Sequence, residues 1–426
     1  MKEMRGVAPI AIAAVIIVAV IAAVAAYVYL TPPVEEEVAT IKLWHTYSPH
    51  EENTARVLLD EFEAENPNIK VTLEAIPYGE MRTKLMTAIA AGMAPDLLRM
   101  DIVWAPEYAD MGALLEISDY MAAAGISSDD FYSGPFSTCV WKDNVYGLPL
   151  DTNTRVLIYR TDLLQEAGVS VPTTWDEFLN AAKALTKDKD GDGVTDQWGF
   201  AIQDGLVGTW QFGPFLWQAG GDVLNSEMTE AIINNEAGYN ALKFLVDLVQ
   251  VHKVAQEPVI IGGWPGQWGM MAAGEVAMMH DGPWFKGILE GMDAPMEDIE
   301  IALKPKGVQE ASVVGGEDLV IFTQSKHPDA AWKVMEYMTS EEFQLGMSEV
   351  GQIPTLIAAG EDPSVAGDPF WGVFIQQLET ARARPVHPKY SEMDEIIHRH
   401  LDAALAGVEG VQEALDAMAA EINELL

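Results

Sequence analysis

From Ile41 onward, short apolar runs alternate with amphipathic helical stretches, and this alternation limits the possible folds more than any other feature of the chain. Ile41-Lys-Leu-Trp44 reads as a strand, and His50 to Glu65 as a helix, with Ala55, Leu58, Leu59 and Phe62 at helical spacing. Pro67 stops that helix, and Ile69-Lys-Val-Thr-Leu73 alternates as a strand. Gly79 to Ala91 gives a second helix ending near Gly92, followed by a third strand over Asp96-Leu-Leu-Arg-Met100. A β-α-β-α-β order predicts a parallel sheet with helices on its faces. In such sheets ligands bind beyond the carboxyl ends of the strands. Here those positions are Trp44 to Glu52, Pro77 to Arg82 and Asp101 to Trp104, all rich in acids, aromatics and hydrogen-bonding groups.

A second set of elements follows Tyr146-Gly-Leu-Pro-Leu150. Val156-Leu-Ile-Tyr159 and Trp198-Gly-Phe-Ala-Ile202 read as strands, and Thr174-Trp-Asp-Glu177 has the spacing of a capping box opening a helix to about Thr186. Ala237 to His252 is amphipathic, Gly315-Gly316 precedes a strand at Leu319-Val-Ile-Phe322, and Asp329 to Thr339 and Val411 to Leu426 are further helices. A length of 426 residues suits two to three domains or one two-lobed body, and 49% hydrophobic residues supply ample core.

With 65 acidic against 25 basic residues, the net charge of −40 argues against nucleic acid or anionic lipid as a partner. Its plain consequence is a solvated, self-repelling surface. Cys139 is the only cysteine, which excludes an intramolecular disulfide, a cysteine-based zinc site and a CxxC redox pair.

The first 30 residues are of another kind. Lys2 and Arg5 precede an apolar run from Val7 to Leu30, broken only by Pro9. That run is long enough to cross a bilayer core, and longer than the usual core of a cleaved signal. The expectation is an N-terminal transmembrane or signal helix over 1–30, with the positive-inside bias placing everything after it outside the cell. Residues 31–40, with Pro32, Pro33 and Glu35 to Glu37, read as a stiff acidic spacer.

Several segments, taken in order, resemble the extracellular solute-binding proteins of ABC importers, in particular the maltose/trehalose-binding-protein-like group. They are Ala94-Pro-Asp96 with Arg99-Met-Asp101, Tyr146 to Asn153, Leu157 to Leu163, Pro172 to Phe178, Gly274 to Met278, Gly282-Pro-Trp284, Gly315-Gly316, Ala330-Ala-Trp332, Gly351 to Thr355 and Ala383-Arg-Pro385. The resemblance implies an α/β, two-lobed periplasmic-binding-protein-like fold with hinge crossovers. One lobe would comprise 41–150 and 315–360, the other 151–314 and 361–426. It implies a di- or oligosaccharide of the maltose, trehalose or maltodextrin type in the cleft, an ABC permease as partner, and a monomeric body outside the membrane.

A sugar offers hydroxyls to carboxylates, amides and arginine, and a C–H face to aromatic rings. On position and resemblance together, the candidates are Trp44, Glu51, Arg82, Asp101, Asp151, Asn153, Trp210, Trp284, Glu317 and Arg384. Glu51 has a second reading as a helix-start acid that favours the dipole. Glu317 stands where relatives can place a tryptophan, which would exchange stacking for hydrogen bonding.

Asp188-Lys-Asp190-Gly-Asp192-Gly193-Val-Thr-Asp196 has the oxygen spacing of a calcium loop, with Val194 offering its carbonyl. Gly199 stands where the bidentate glutamate would be, so the expected structural calcium needs another ligand. No organic cofactor is expected. Nucleophile-elbow, zinc-protease and P-loop motifs are missing, which favours a binder over an enzyme. Acidic pairs keep a surface-anchored glycoside hydrolase as the alternative.

Overall fold

The computed structural model describes residues 38–202, 208–256 and 266–426. The predicted N-terminal helix and residues 31–37 of the spacer lie outside the described residues. Among the described residues, no helix is long and apolar enough to cross a membrane.

The first sheet carries the predicted parallel unit. Strands β1 (Ala39–His45), β2 (Ile69–Ala75) and β3 (Leu97–Asp101) lie in the order β2-β1-β3, with β1 parallel to both neighbours. Beside β3 runs β8 (Ser312–Ile321), antiparallel, and beyond it β4 (Gly147–Thr154), also antiparallel to β8. Helix α1 (Pro49–Glu65) starts where sequence demands: Pro49 cannot donate, and Ser48 and Glu51 form a capping box that satisfies two backbone N–H groups. Leu43, Leu59, Phe62, Leu97, Leu319, Trp332 and Phe343 fill one face of this sheet. Helix α2 (Tyr78–Ala90) covers the other, where Leu85, Leu98, Met100 and Tyr108 are buried. Each such Leu stabilises the fold by about 1.5–3 kcal/mol through burial.

The second lobe centres on a three-stranded antiparallel sheet, β6-β5-β7, made of β5 (Val156–Arg160), β6 (Met278–Asp281) and β7 (Ile299–Ala302). Around it pack α3 (Trp175–Leu185), α4 (Gly208–Gln218), α5 (Glu236–Val246), α6 (Tyr390–Leu405) and α7 (Val411–Leu425), with Phe178, Phe215, Leu242, Ile397 and Leu415 in their core. Residue Arg155 alone separates β4 from β5, so the chain passes from one sheet to the other in a single step. It returns between β7 and β8. A third passage follows the segment in which the Ile353 carbonyl accepts from Thr152 N–H at 3.0 Å.

Four local expectations differ from the structure. Trp198 to Ile202 forms only isolated bridges, at Trp198, Phe200 and Ala201, instead of a strand. Gly315-Gly316 lies inside β8 and not ahead of it. The helix predicted to reach His252 is α-helical only to Val246 and continues as one wider turn, Asp247–Val251. At Thr174 only half the capping box forms: its side chain accepts from Glu177 N–H at 3.3 Å, while the Glu177 carboxylate turns to Thr173.

Candidate functional site

The carboxyl ends of β1 and β3, the bend of β4 and the glycine pair of β8 meet at one place. At its centre is a residue that sequence reasoning did not single out, Arg99. Its Nη2 lies 2.8 Å from Glu317 Oε2 and 3.0 Å from Asp151 Oδ2, and its Nη1 donates to Thr46 Oγ1 at 2.7 Å. Its guanidinium also stands 4.6 Å from the Tyr47 ring centre. Burial alone would disfavour this charge, and the two carboxylates more than offset it, holding the arginine above its ordinary value. Burial drives the Glu317 carboxyl well above its ordinary range, Arg99 opposes that, and Asp151 adds to it.

Beside this group stands Asp101. It accepts from Tyr78 O–H at 2.8 Å and Val103 N–H at 3.1 Å, and it faces Arg384 Nη2 at 3.6 Å. Arg384 belongs to the third passage, so this pair joins the first lobe to the far side of the hinge. Its guanidinium lies over the rings of Trp210 (5.3 Å) and Tyr390 (5.8 Å). Trp210 in turn stacks on Trp284, with centroids 6.1 Å apart and planes at 28°. Trp284 is 36% exposed, which leaves ring area free for a ligand.

Two backbone features bring these rings and acids together. Arg155 donates to the carbonyls of Trp210 (3.1 Å) and His280 (2.6 Å), tying α4 and β6 to the crossover. At Gly315 a Cβ would lie 2.2 Å from Asn153 Oδ1 and 2.8 Å from the Trp210 ring. Gly316, at φ +125°, adopts a conformation that favours glycine, and a Cβ there would meet the Asp151 carbonyl.

The structure therefore brings Asp101, Asp151, Asn153, Trp210, Trp284, Glu317 and Arg384 to one cleft, with Glu51 at its edge. Glu51 uses one oxygen in the capping box, at 2.7 Å from Ser48 N, and accepts from Gln352 Nε2 with the other. Trp44 and Arg82 do not join them. Trp44 still lies within β1, so its side chain enters the core under α2, where its indole donates to Glu74 at 2.9 Å. Arg82 is held by Glu107 at 2.9 and 3.0 Å. Sequence reasoning did not single out Arg99, Tyr47, Tyr78 and Tyr390. A charged residue inside the apolar run Leu97-Leu-Arg-Met was the available signal for Arg99.

In the acidic loop, carboxylate oxygens of Asp188, Asp190 and Asp196 lie within 4.8 Å of one another. Two oxygens on opposite sides of a calcium ion are separated by about that distance. Asp192 lies outside this group and accepts from Val194 N–H at 2.7 Å, as Asp188, Asp190 and Asp196 also accept from backbone N–H groups of the loop.

The bacterial extracellular solute-binding protein family matches residues 48–345, more than half of the chain. The chain belongs to this family. This solute-binding protein is 24% identical over 363 residues to the maltotriose-binding protein of Pyrococcus abyssi, covering 82% of this chain and 74% of that protein. It superposes on the GacH receptor of Streptomyces glaucescens, crystallised unliganded and with acarbose, with a TM-score of 0.80 and 27% identity, over 91% of this chain and 98% of the receptor. Maltose-bound MalE3 of T. maritima gives 0.77 and 27%, over 91% and 100%. These relatives are binding proteins and not enzymes, which removes the glycoside-hydrolase alternative.

Proposed function

We propose that the protein captures a di- or oligosaccharide of the maltose, trehalose or maltodextrin type outside the cell and delivers it to an ABC permease. The observation that carries this reading is the meeting of Trp210 and Trp284 with Asp101, Asp151 and Arg384 at the lobe junction. Rings cover the apolar face of a sugar, while fixed carboxylates and guanidiniums bind its hydroxyls. The named ligands of the relatives support the sugar class. The apolar N-terminal run would hold the monomeric body at the membrane, and residues 31–40 would space it from the surface. Isothermal titration with maltose, trehalose and maltodextrins tests the reading: saturable heat without product formation is expected, and silence across the panel overturns it. Membrane fractionation of the full chain against a chain starting at residue 38 tests the anchor.

The acidic loop fits a structural calcium ion held by Asp188, Asp190 and Asp196. Bound calcium would neutralise the repulsion among these acids and fix the loop between α3 and Trp198. Restoring calcium to chelator-treated protein raises Tm if so, and an unchanged Tm removes the metal from this reading.

A further inference from the structure

The cleft holds one carboxylate more than its cations balance. Asp101 faces Arg384 at 3.6 Å, whereas Asp151 and Glu317 share the single guanidinium of Arg99. Their side chains are only 14%, 6% and 18% exposed, so water screens these charges poorly. Among the described residues no other lysine or arginine forms an ion pair with any of the three. The groups acting on Glu317 from the surrounding elements are Arg99 and Asp101 on β3, Asp151 on β4, Tyr47 after β1 and Tyr78 on α2. Glu51, on α1, adds to the negative side of Arg99 and Tyr47.

Two buried donors point to a missing occupant. Tyr47 is 5% exposed, and its hydroxyl has no hydrogen-bond partner among the described residues although it stands within the field of Arg99, Asp151, Glu51 and Glu317. Arg384 is 7% exposed, and its Nε is likewise without a partner beside Asp101. A buried donor is kept in this state at a cost unless a ligand completes it, and the oxygens of a sugar can accept from both, so the occupant must bring hydroxyls besides any charge.

We propose that the solute of this cleft carries a basic amine, as an amino sugar does, and that its ammonium group supplies the missing cation to Asp151 and Glu317. This deepens the sugar-binding reading and rests on it. When the site is empty the excess charge is relieved by a proton on Glu317, shared toward Asp151. When the ammonium group enters, that proton leaves to solvent and the three carboxylates face three cations. A neutral sugar releases no proton, because its hydroxyls bring no charge.

The full chain is titrated calorimetrically at about pH 6, where the free amines already carry their proton, with maltose and with a series of maltoses in which each hydroxyl in turn is replaced by an amine. At least one amine is expected to bind about tenfold or more tighter than maltose, as a desolvated charge pair warrants. Its binding is expected to release a proton, read from the dependence of the heat on buffer ionisation enthalpy. In Glu317→Gln, which keeps the shape and removes the charge, the affinity ratio of amine to maltose falls to about one. The proton release is measured on the unaltered protein, so the proposal stays testable if that variant does not fold. Binding of maltose with no gain for any amine, or a gain without proton release, overturns this proposal alone. Failure of both series overturns the sugar reading as well.

Discussion

Arg99 illustrates how much a single buried charge can carry. Replacing it by methionine leaves Asp151 and Glu317 buried without a cation, and uncompensated buried charge costs about 3–5 kcal/mol. Denaturant unfolding of Arg99→Met at neutral pH is expected to show a loss of that order. A second buried site gives the chain a pH dependence. Lys304 Nζ lies 2.7 Å from His280 Nδ1, and both side chains are buried. Burial first, then the neighbouring positive charges of Lys304 and Arg155, hold His280 well below its ordinary 6.5. Burial and Arg155 likewise hold Lys304 well below 10.5. The unfolded chain protonates the histidine below about pH 6.5 and the native chain does not, so stability falls as the pH drops through that value. The lysine acts in the same sense at higher pH: stability rises with pH until about pH 10, where the unfolded amine also loses its proton. Tm against pH should show both slopes, and Lys304→Met should remove the upper one while burial of His280 keeps the lower one, weakened.

Among the elements, β8 is the one whose local sequence decides the site. Gly315 lets the strand pass under the Trp210 ring and Asn153, so Gly315→Ala forces both aside. The expected result is weaker sugar binding with a loss of stability of about 1–3 kcal/mol, as for overpacking. Calorimetry and thermal melts on the same variant check this. Much of the element list was legible in the sequence because long periodic segments such as α1, α2 and the first three strands carry their own signal. What failed has physical causes. Reading β1 as ending at Trp44 placed that ring beyond the strand, whereas pairing continues to His45 and alternation sends Trp44 into the core. Glu51 has two readings in sequence, and the structure satisfies the capping one with one oxygen while keeping the residue at the cleft edge. Arg99, Asp151 and Glu317 are far apart in sequence, so their convergence depends on β8 pairing with both β3 and β4, which no local pattern encodes.

For the whole molecule, the two lobes have their own main cores and are joined by three passages, of which the Arg155 step is the shortest, with a small cluster of Trp210, Trp217, Ala311 and Val313 packed at the junction. Such a body can rotate about its passages without disturbing either core, and a ligand that touches both lobes shifts the population toward closure. Small-angle scattering of the full chain should show a smaller radius of gyration at saturating ligand than without it. Identical profiles would mean that capture proceeds without closure. The course of β1 sets a further condition on delivery. The strand begins at Ala39 and ends beside the cleft at His45, so the chain enters the body at the pole opposite the mouth. A molecule held by its leading end would present its opening to the surroundings and its back to the surface that carries it. Handing cargo to a channel in that same surface requires the body to tip over. Only eight residues, 31–38, separate the apolar run from β1, a reach of at most about 26–29 Å, so that short span would govern how readily the turn is made.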